Sequence, residues 1–247
     1  MEFVDSLALI LLAFAVGGTI KGMLGFGMPL TTMSLLSTFL DVQTAAALNV
    51  LPMLFANILQ ASRGGLLVTI VRRFWPLLLM LATGTWIGAT LVVALDPGWL
   101  LGILGAIVVA FCASSYFHPQ MQLPQRYERP VGIATGFVAG IIGGLSTIHG
   151  PPLIMYASCL RLAKETFIAT LGTFFLLGGI FVTVAFVGRG VLNAETAPSS
   201  LACVVAVFAG MWLGERFSRR IDQERFRKAV LIVLMLLGVN LVRRAIW

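Results

Sequence analysis

The chain is poor in charge. Only 11% of its 247 residues are Asp, Glu, Lys or Arg, and no acidic residue interrupts a long apolar stretch. Glu2, Asp5, Asp41, Asp96, Glu128, Glu165, Glu195, Glu215, Asp222 and Glu224 all fall at stretch ends or in loops, which argues against a proton relay built on buried carboxylates. Two histidines, His118 and His149, and three cysteines, Cys112, Cys159 and Cys203, are too few and too scattered for a metal cluster or a disulfide framework. The cysteines sit in apolar segments and read as buried structural thiols. A membrane enzyme would need a nucleophile with its base, or a metal set, and the sequence spaces neither. No enzymatic role and no cofactor is expected.

What is there is hydrophobic. Apolar residues make up 59% of the chain and the mean hydropathy is +0.98, which points to an integral membrane protein whose constant partner is the lipid bilayer. The opening Met1-Glu2-Phe3-Val4-Asp5 is acidic, lacks the positive n-region of a cleaved signal peptide, and reads as the start of mature structure. A net charge of +7 and a pI near 10 could suggest nucleic acid. The basic residues lie in short loops between apolar stretches, however, so orientation in the membrane explains them and no nucleic-acid partner is expected.

Eight hydrophobic stretches can be marked, near 6–40, 43–60, 74–95, 99–117, 131–160, 165–187, 198–215 and 229–246. As single helices the first and fifth would run about 50 and 45 Å, against a hydrocarbon core of about 30 Å. Both carry glycine-rich motifs, Gly18-Thr19-Ile20-Lys21-Gly22-Met23-Leu24-Gly25-Phe26-Gly27-Met28-Pro29 and Gly140-Ile141-Ile142-Gly143-Gly144-Leu145-Ser146-Thr147-Ile148-His149-Gly150-Pro151-Pro152. Each is therefore expected to enter the membrane, break at its glycines and return. Charge placement agrees. With hairpins, Arg63, Arg72, Arg73, Arg126, Arg129, Arg161, Lys164, Arg216, Arg219, Arg220, Arg225, Arg227 and Lys228 share one face, leaving Arg189, Arg243 and Arg244 opposite. The positive-inside rule makes the first face cytoplasmic and places both termini on the other side.

The halves also align beyond the glycine motif. Gly84-Thr85-Trp86-Ile87-Gly88 returns as Gly210-Met211-Trp212-Leu213-Gly214, followed by Asp96 and Asp222 at the same separation. The expected fold is an all-α polytopic membrane protein of two inverted repeats, 1–117 and 131–247, joined by a linker at 118–130. Each repeat is a glycine-broken hairpin followed by three spanning helices. Inverted repeats with broken helices are how secondary transporters build a substrate site near the bilayer midplane and alternate access to it. Trp75, Trp99 and Trp247 read as interfacial anchors, and the deeper Trp86 and Trp212 as residues that pack the repeats together.

These motifs resemble the TauE/SafE sulfite exporter family of bacterial membrane permeases over nearly the whole chain. The resemblance rests on Gly18, Gly22, Gly25 and Gly27, on the second copy from Gly140 through Gly150-Pro151-Pro152, and on the late Gly-x-Trp-x-Gly of each half. It implies an inner-membrane protein that transports small sulfur-containing anions such as sulfite or organosulfonates, usually outward. The second copy departs from the commoner glycine-only form by placing Ser146-Thr147-Ile148-His149 before Gly150.

Glycines at a hairpin tip leave backbone amides unscreened. A half-helix starting near Gly27-Met28-Pro29, and another near Gly150-Pro151-Pro152, would turn their free N–H groups and positive dipole ends toward an anion at midplane. Gly22, Gly25, Gly27, Gly144 and Gly150 are the backbone candidates; the alternative is that such glycines only permit close helix packing. Lys21 is the only basic residue inside a membrane stretch, where an unpaired charge costs about 2.5–3.5 kcal/mol. It either meets the anionic substrate or snorkels to the interface. His149 is a candidate proton carrier or a neutral ring satisfied by backbone, with Ser146 and Thr147 as hydroxyl donors beside it. Asn49 and Thr170 fall at corresponding positions in the helix after each hairpin and are candidates to line the cavity, whereas Asn57 reads as a helix-to-helix hydrogen bond. An anion channel, or an uptake permease for another small anion, is the competing reading; oligomeric state is not readable.

Overall fold

The structure is a computed structural model and describes residues 3–62, 65–117, 123–160, 162–218 and 223–246. Arg63, His118, Arg161, Arg219, Arg220, Asp222 and Trp247 lie outside the described residues, as does the linker from 118 to 122. Among the described residues there are ten α-helices and no strand: α1 (Phe3–Leu24), α2 (Met28–Leu36), α3 (Val42–Ser62), α4 (Leu67–Ala94), α5 (Pro97–Phe117), α6 (Gln125–Ser146), α7 (Gly150–Ser158), α8 (Lys164–Gly188), α9 (Ala197–Ser218) and α10 (Gln223–Ile246). Six of them contain segments long and apolar enough to cross a membrane, Leu7–Leu24, Val42–Ser62, Leu67–Ala94, Gln125–Ser146, Glu165–Gly188 and Ala197–Phe217. α5 offers a shorter apolar stretch, Pro97–Ala113.

The two overlong stretches are both broken. α1, with 22 residues, spans about 33 Å, whereas the 9-residue α2 covers only about 13 Å. α6 and α7 repeat those two lengths. Each hairpin is thus one full crossing followed by a half-helix that turns back.

The helices form two compact units, one comprising Met1–Met53, Leu95–His118 and Asn193–Trp247, the other Leu54–Ala94 and Pro119–Leu192. Each unit contains one hairpin and draws helices from both halves of the chain. In the first, α1 lies against α9. A Cβ on Gly18, Gly22, Gly210 or Gly214 would collide with the carbonyl oxygen of Val207, Met211, Ala15 or Thr19 respectively. In the second, α6 lies against α4 in the same way, with Gly140 and Gly144 on the carbonyls of Leu81 and Thr85, and Gly84 and Gly88 on those of Phe137 and Ile141. Small residues four apart let two backbones touch, and van der Waals packing then replaces the hydrophobic drive that lipid cannot supply. α5 and α10 close the first unit through Gly105 and Gly238. The second is filled by Phe74, Leu77, Leu81, Leu153, Tyr156 and Phe174, with the Phe74 ring set edge-on to Phe174 at 5.3 Å and to Tyr156 at 6.2 Å.

Trp212 corrects an expectation: it is 61% exposed and does not pack helices together, whereas Trp86, 46% exposed, keeps its ring edge against Gly188 of α8. Two residues along a helix is a rotation of about 200°, so a tryptophan midway between Gly84 and Gly88, or between Gly210 and Gly214, points away from the face that makes the crossing. Arg189 and Arg216 stack over the two outward rings at 4.9 and 5.7 Å. Trp75 and Trp99 are also exposed. The cysteines are free, Cys112 and Cys203 buried and Cys159 half-buried.

Candidate functional site

The first hairpin breaks where the backbone demands glycine. α1 ends at Leu24, the Gly25 N–H donates to the Lys21 carbonyl at 2.8 Å, and Gly25 and Gly27 take φ of 80° and 94°, a region that β-carbons disfavour. α2 starts at once, with Pro29 in its first turn where a missing N–H costs nothing. It folds back on α1, so that Gly17 faces the Thr32 methyl and Met28, and Gly27 faces Ile20. No side chain caps the N-terminus of α2. Lys21 stands one turn after Gly17, on the same face of α1 as that contact, and is only 4% exposed. Its side chain therefore does not snorkel outward. Asn49, fully buried on α3, accepts a hydrogen bond from Thr32 Oγ1 at 3.0 Å, which ties it to the first turns of α2.

The second hairpin makes the same break with different residues. Thr147 occupies the position of Gly25: its N–H donates to the Gly143 carbonyl at 2.7 Å and its φ is 62°. A buried β-branched residue in this left-handed conformation costs about 1–3 kcal/mol, a strain that proteins keep chiefly at functional sites. His149 occupies the position of Gly27 and forms the N-cap of α7, again without a side-chain cap. Its imidazole fits a slot cut by two glycines. A Cβ on Gly143 would stand 2.8 Å from the His149 Cβ, and one on Gly178 of α8 2.7 Å from Nε2, with the Phe175 ring 6.0 Å away. Ser146 Oγ donates to the Ile142 carbonyl at 2.8 Å. Gly150, the first residue of α7, has room for a Cβ in ordinary contact with Phe175. The base of this hairpin is closed by Leu123 N–H to the Cys159 carbonyl and by Tyr156 Oη to the Glu128 carbonyl, both at 3.0 Å.

Lys21, Gly25 and Gly27 therefore gather at the α1–α2 turn, with Asn49 joined through Thr32. Ser146, Thr147, His149 and Gly150 gather at the α6–α7 turn. Thr170 stands apart: it lies on α8 eight residues before Gly178, about 12 Å along the helix. It is buried and its Oγ1 has no hydrogen-bond partner. Gly22 and Gly144 are turned into the helix crossings, each with a neighbouring backbone where a side chain would go. Asn57 makes the helix-to-helix bond read from the sequence, Nδ2 to the Phe175 carbonyl at 2.9 Å.

Among models of known families, Sulfite exporter TauE/SafE matches residues 9–241. The chain belongs to the TauE/SafE sulfite exporter family. The match runs through both hairpins and the helices packed against them. It makes this a multi-pass protein of a membrane transporter family. Searches of curated proteins and of solved structures return no match.

Some features of this TauE/SafE member escape a reading of the motifs alone. The His149 slot depends on Gly178, 29 residues downstream, and its only sequence trace is the Gly178-Gly179 pair inside an otherwise bulky apolar run. Arg73 pairs with Glu128 in two bonds of 2.8 and 3.0 Å, fixing the start of α6 to α4. Nothing in local sequence pairs those two residues.

Proposed function

We propose that this chain is a permease that carries a small sulfur-containing anion, sulfite or an organosulfonate, out of a bacterial cell across the inner membrane by alternating access. The carrying observation is that both half-helices begin at a break in the chain with no side-chain cap, the second break buried and the first flanked by the buried Lys21 and Met28. An uncapped helix start leaves backbone N–H groups without intrahelical partners and carries the positive end of the dipole, the recurring way for a protein to hold an oxyanion. At the first turn the buried Lys21 supplies a full charge, and the Asn49 amide is within the same group of side chains. At the second, Thr147 and His149 supply neutral donors, and Ser146 adds one on leaving its bond to the Ile142 carbonyl; Gly25, Gly27 and Gly150 leave the amides uncovered, and Gly22 and Gly144 hold the turns in place. Thr170, a buried hydroxyl awaiting an acceptor, belongs to the transit path.

The reading includes inverted repeats and termini on the non-cytoplasmic side, supported by the doubled hairpin geometry and the one-sided arginines. Outward movement of an anion needs no second ion, because an inside-negative potential contributes about 2.3 kcal/mol per charge per 100 mV. The test is efflux of radiolabelled sulfite and sulfoacetate from proteoliposomes, with sulfate as the comparison anion and current recorded across planar bilayers. Saturable efflux without unitary currents supports the permease. Channel-like currents, or no movement of any sulfur oxyanion, would overturn it.

A further inference from the structure

Hydroxyls on the apolar helices of this protein follow a habit: they donate to the carbonyl one turn back. Thr19 bonds Ala15, Thr31 bonds Gly27, Thr32 bonds Met28, Ser146 bonds Ile142 and Thr173 bonds Ala169, at 2.8, 3.0, 2.9, 2.8 and 2.9 Å. This is the default for a serine or threonine that has nothing better to do inside a helix. Ser34 and Ser37 break it. Both are fully buried at the far end of α2 and neither Oγ has a partner. Three residues apart, they lie on one face of the helix. A buried hydroxyl left unmade costs about 1–3 kcal/mol, so an unpartnered pair of them calls for a visiting acceptor.

Next to Ser37 stands the charge such an acceptor requires. Arg244, from the last turn of α10, donates through Nη1 to the carbonyls of Ser37 at 2.9 Å and Thr38 at 2.6 Å. The residue is exposed, and Nη2 and Nε make no hydrogen bond among the described residues. A guanidinium edge of this kind matches the oxygens of a carboxylate, phosphate or sulfonate in paired bonds. A helix C-terminus by itself repels anions. Here the two carbonyls at that end are already occupied by the cation, so the local field is set by the arginine.

We propose that Ser34, Ser37 and Arg244 form a second oxyanion subsite in the first unit, at the end of α2 away from the hairpin turn, where a sulfonate or sulfite rests between the turn and the protein surface. This rests on the permease reading. One exposed arginine and two neutral hydroxyls make a weak subsite, which suits a station that must release its ion: a conducted ion has to bind loosely enough to leave.

The test uses sulfoacetate, which is inert toward thiols and carbonyls. Equilibrium binding of the labelled anion is measured in detergent on Lys21→Ala, and on the same chain with Ser34→Ala and Ser37→Ala added. The first variant should keep a weak site, and the second should bind at least fivefold more weakly at an unchanged or raised melting temperature, since the lost hydroxyls were buried without a partner. Arg244→Gln in the Lys21→Ala background should do the same, with Arg244→Lys restoring part of the affinity. Equal binding with and without the two serines, or no residual binding in Lys21→Ala, would overturn the subsite. Separately, Ser34→Ala/Ser37→Ala in otherwise native proteoliposomes should lower maximal efflux at least fivefold; an unchanged rate removes the subsite from the path. Native vesicles that move no sulfur oxyanion would instead overturn the permease reading, leaving the subsite to be decided by binding alone.

Discussion

Gly25 and Thr147 hold the same backbone conformation at the same point of two hairpins, with φ of 80° and 62° and an N–H donated four residues back to Lys21 and Gly143. One break is made by the residue that pays least for a positive φ, the other by a β-branched residue that pays most. The geometry is kept although the side chains differ, so the turn itself is what the fold holds constant.

That contrast predicts opposite responses to mutation. No atom lies within 4 Å of a Cβ built on Gly25, so Gly25→Ala meets strain without collision and should destabilise the protein by about 1–2 kcal/mol. Thr147→Gly should leave thermal stability in detergent unchanged or raised, because it relieves about 1–3 kcal/mol of strain. If Thr147 touches the anion, the same variant loses efflux. A Thr147→Gly protein that melts well below the native one would contradict the strain argument.

The glycines of the crossings should behave differently again. At Gly22 and Gly144 the added methyl meets backbone, which cannot move as a side chain can. Alanine there should cost about 1–3 kcal/mol or more, as overpacking does. Gly98, on α5 with nothing within 4 Å, is the control: Gly98→Ala should be neutral or slightly stabilising by helix propensity. Thermal melts of the three variants side by side decide this, and equal melting temperatures would contradict it.

The Arg73–Glu128 pair looks strong and should measure weak. Its geometry is bidentate, but the side chains are 46% and 22% exposed, so a double-mutant cycle should return less than about 1 kcal/mol, falling further in high salt. The buried Asn57 bond to the Phe175 carbonyl lacks that screening. Asn57→Ala should cost about 0.6–2 kcal/mol in detergent unfolding.

Thiol accessibility checks the packing of both units. Half-buried Cys159 should react with a maleimide before unfolding, whereas Cys112 and Cys203, both buried, should react only after denaturation. Fast labelling of all three in the native protein would contradict the assigned burial.

Much of this was readable before any coordinates. An apolar stretch too long for one crossing, with glycines and a proline at its centre, has few physical solutions, and both broken hairpins follow from it. The all-helical class follows from composition, since lipid permits only structures that satisfy their own backbone. The partners of each helix were not readable. Gly84 and Gly88 meet Gly140 and Gly144, Gly22 meets Gly214, and Gly18 meets Val207, pairings set by which backbones can touch in space. The same blindness misplaced Trp212, whose glycine neighbours suggested packing although the intervening position turns outward. Ser34 and Ser37 looked like ordinary small polar residues. Only the absence of their usual bond to the preceding turn sets them apart, and that is visible in three dimensions alone.

Lys21 carries the central claim. A buried lysine in a membrane hairpin, beside the uncapped start of a half-helix, is assigned here to the transported anion. The decisive measurement is the rate of sulfite and sulfoacetate efflux from proteoliposomes holding native protein, Lys21→Ala or Lys21→Arg at matched incorporation, each checked for folding by its melting temperature. The native protein should show saturable efflux, Lys21→Ala a loss of at least tenfold, which is about 1.4 kcal/mol, and Lys21→Arg a partial recovery. A folded Lys21→Ala protein that exports either anion at the native rate and half-saturation would contradict the assignment.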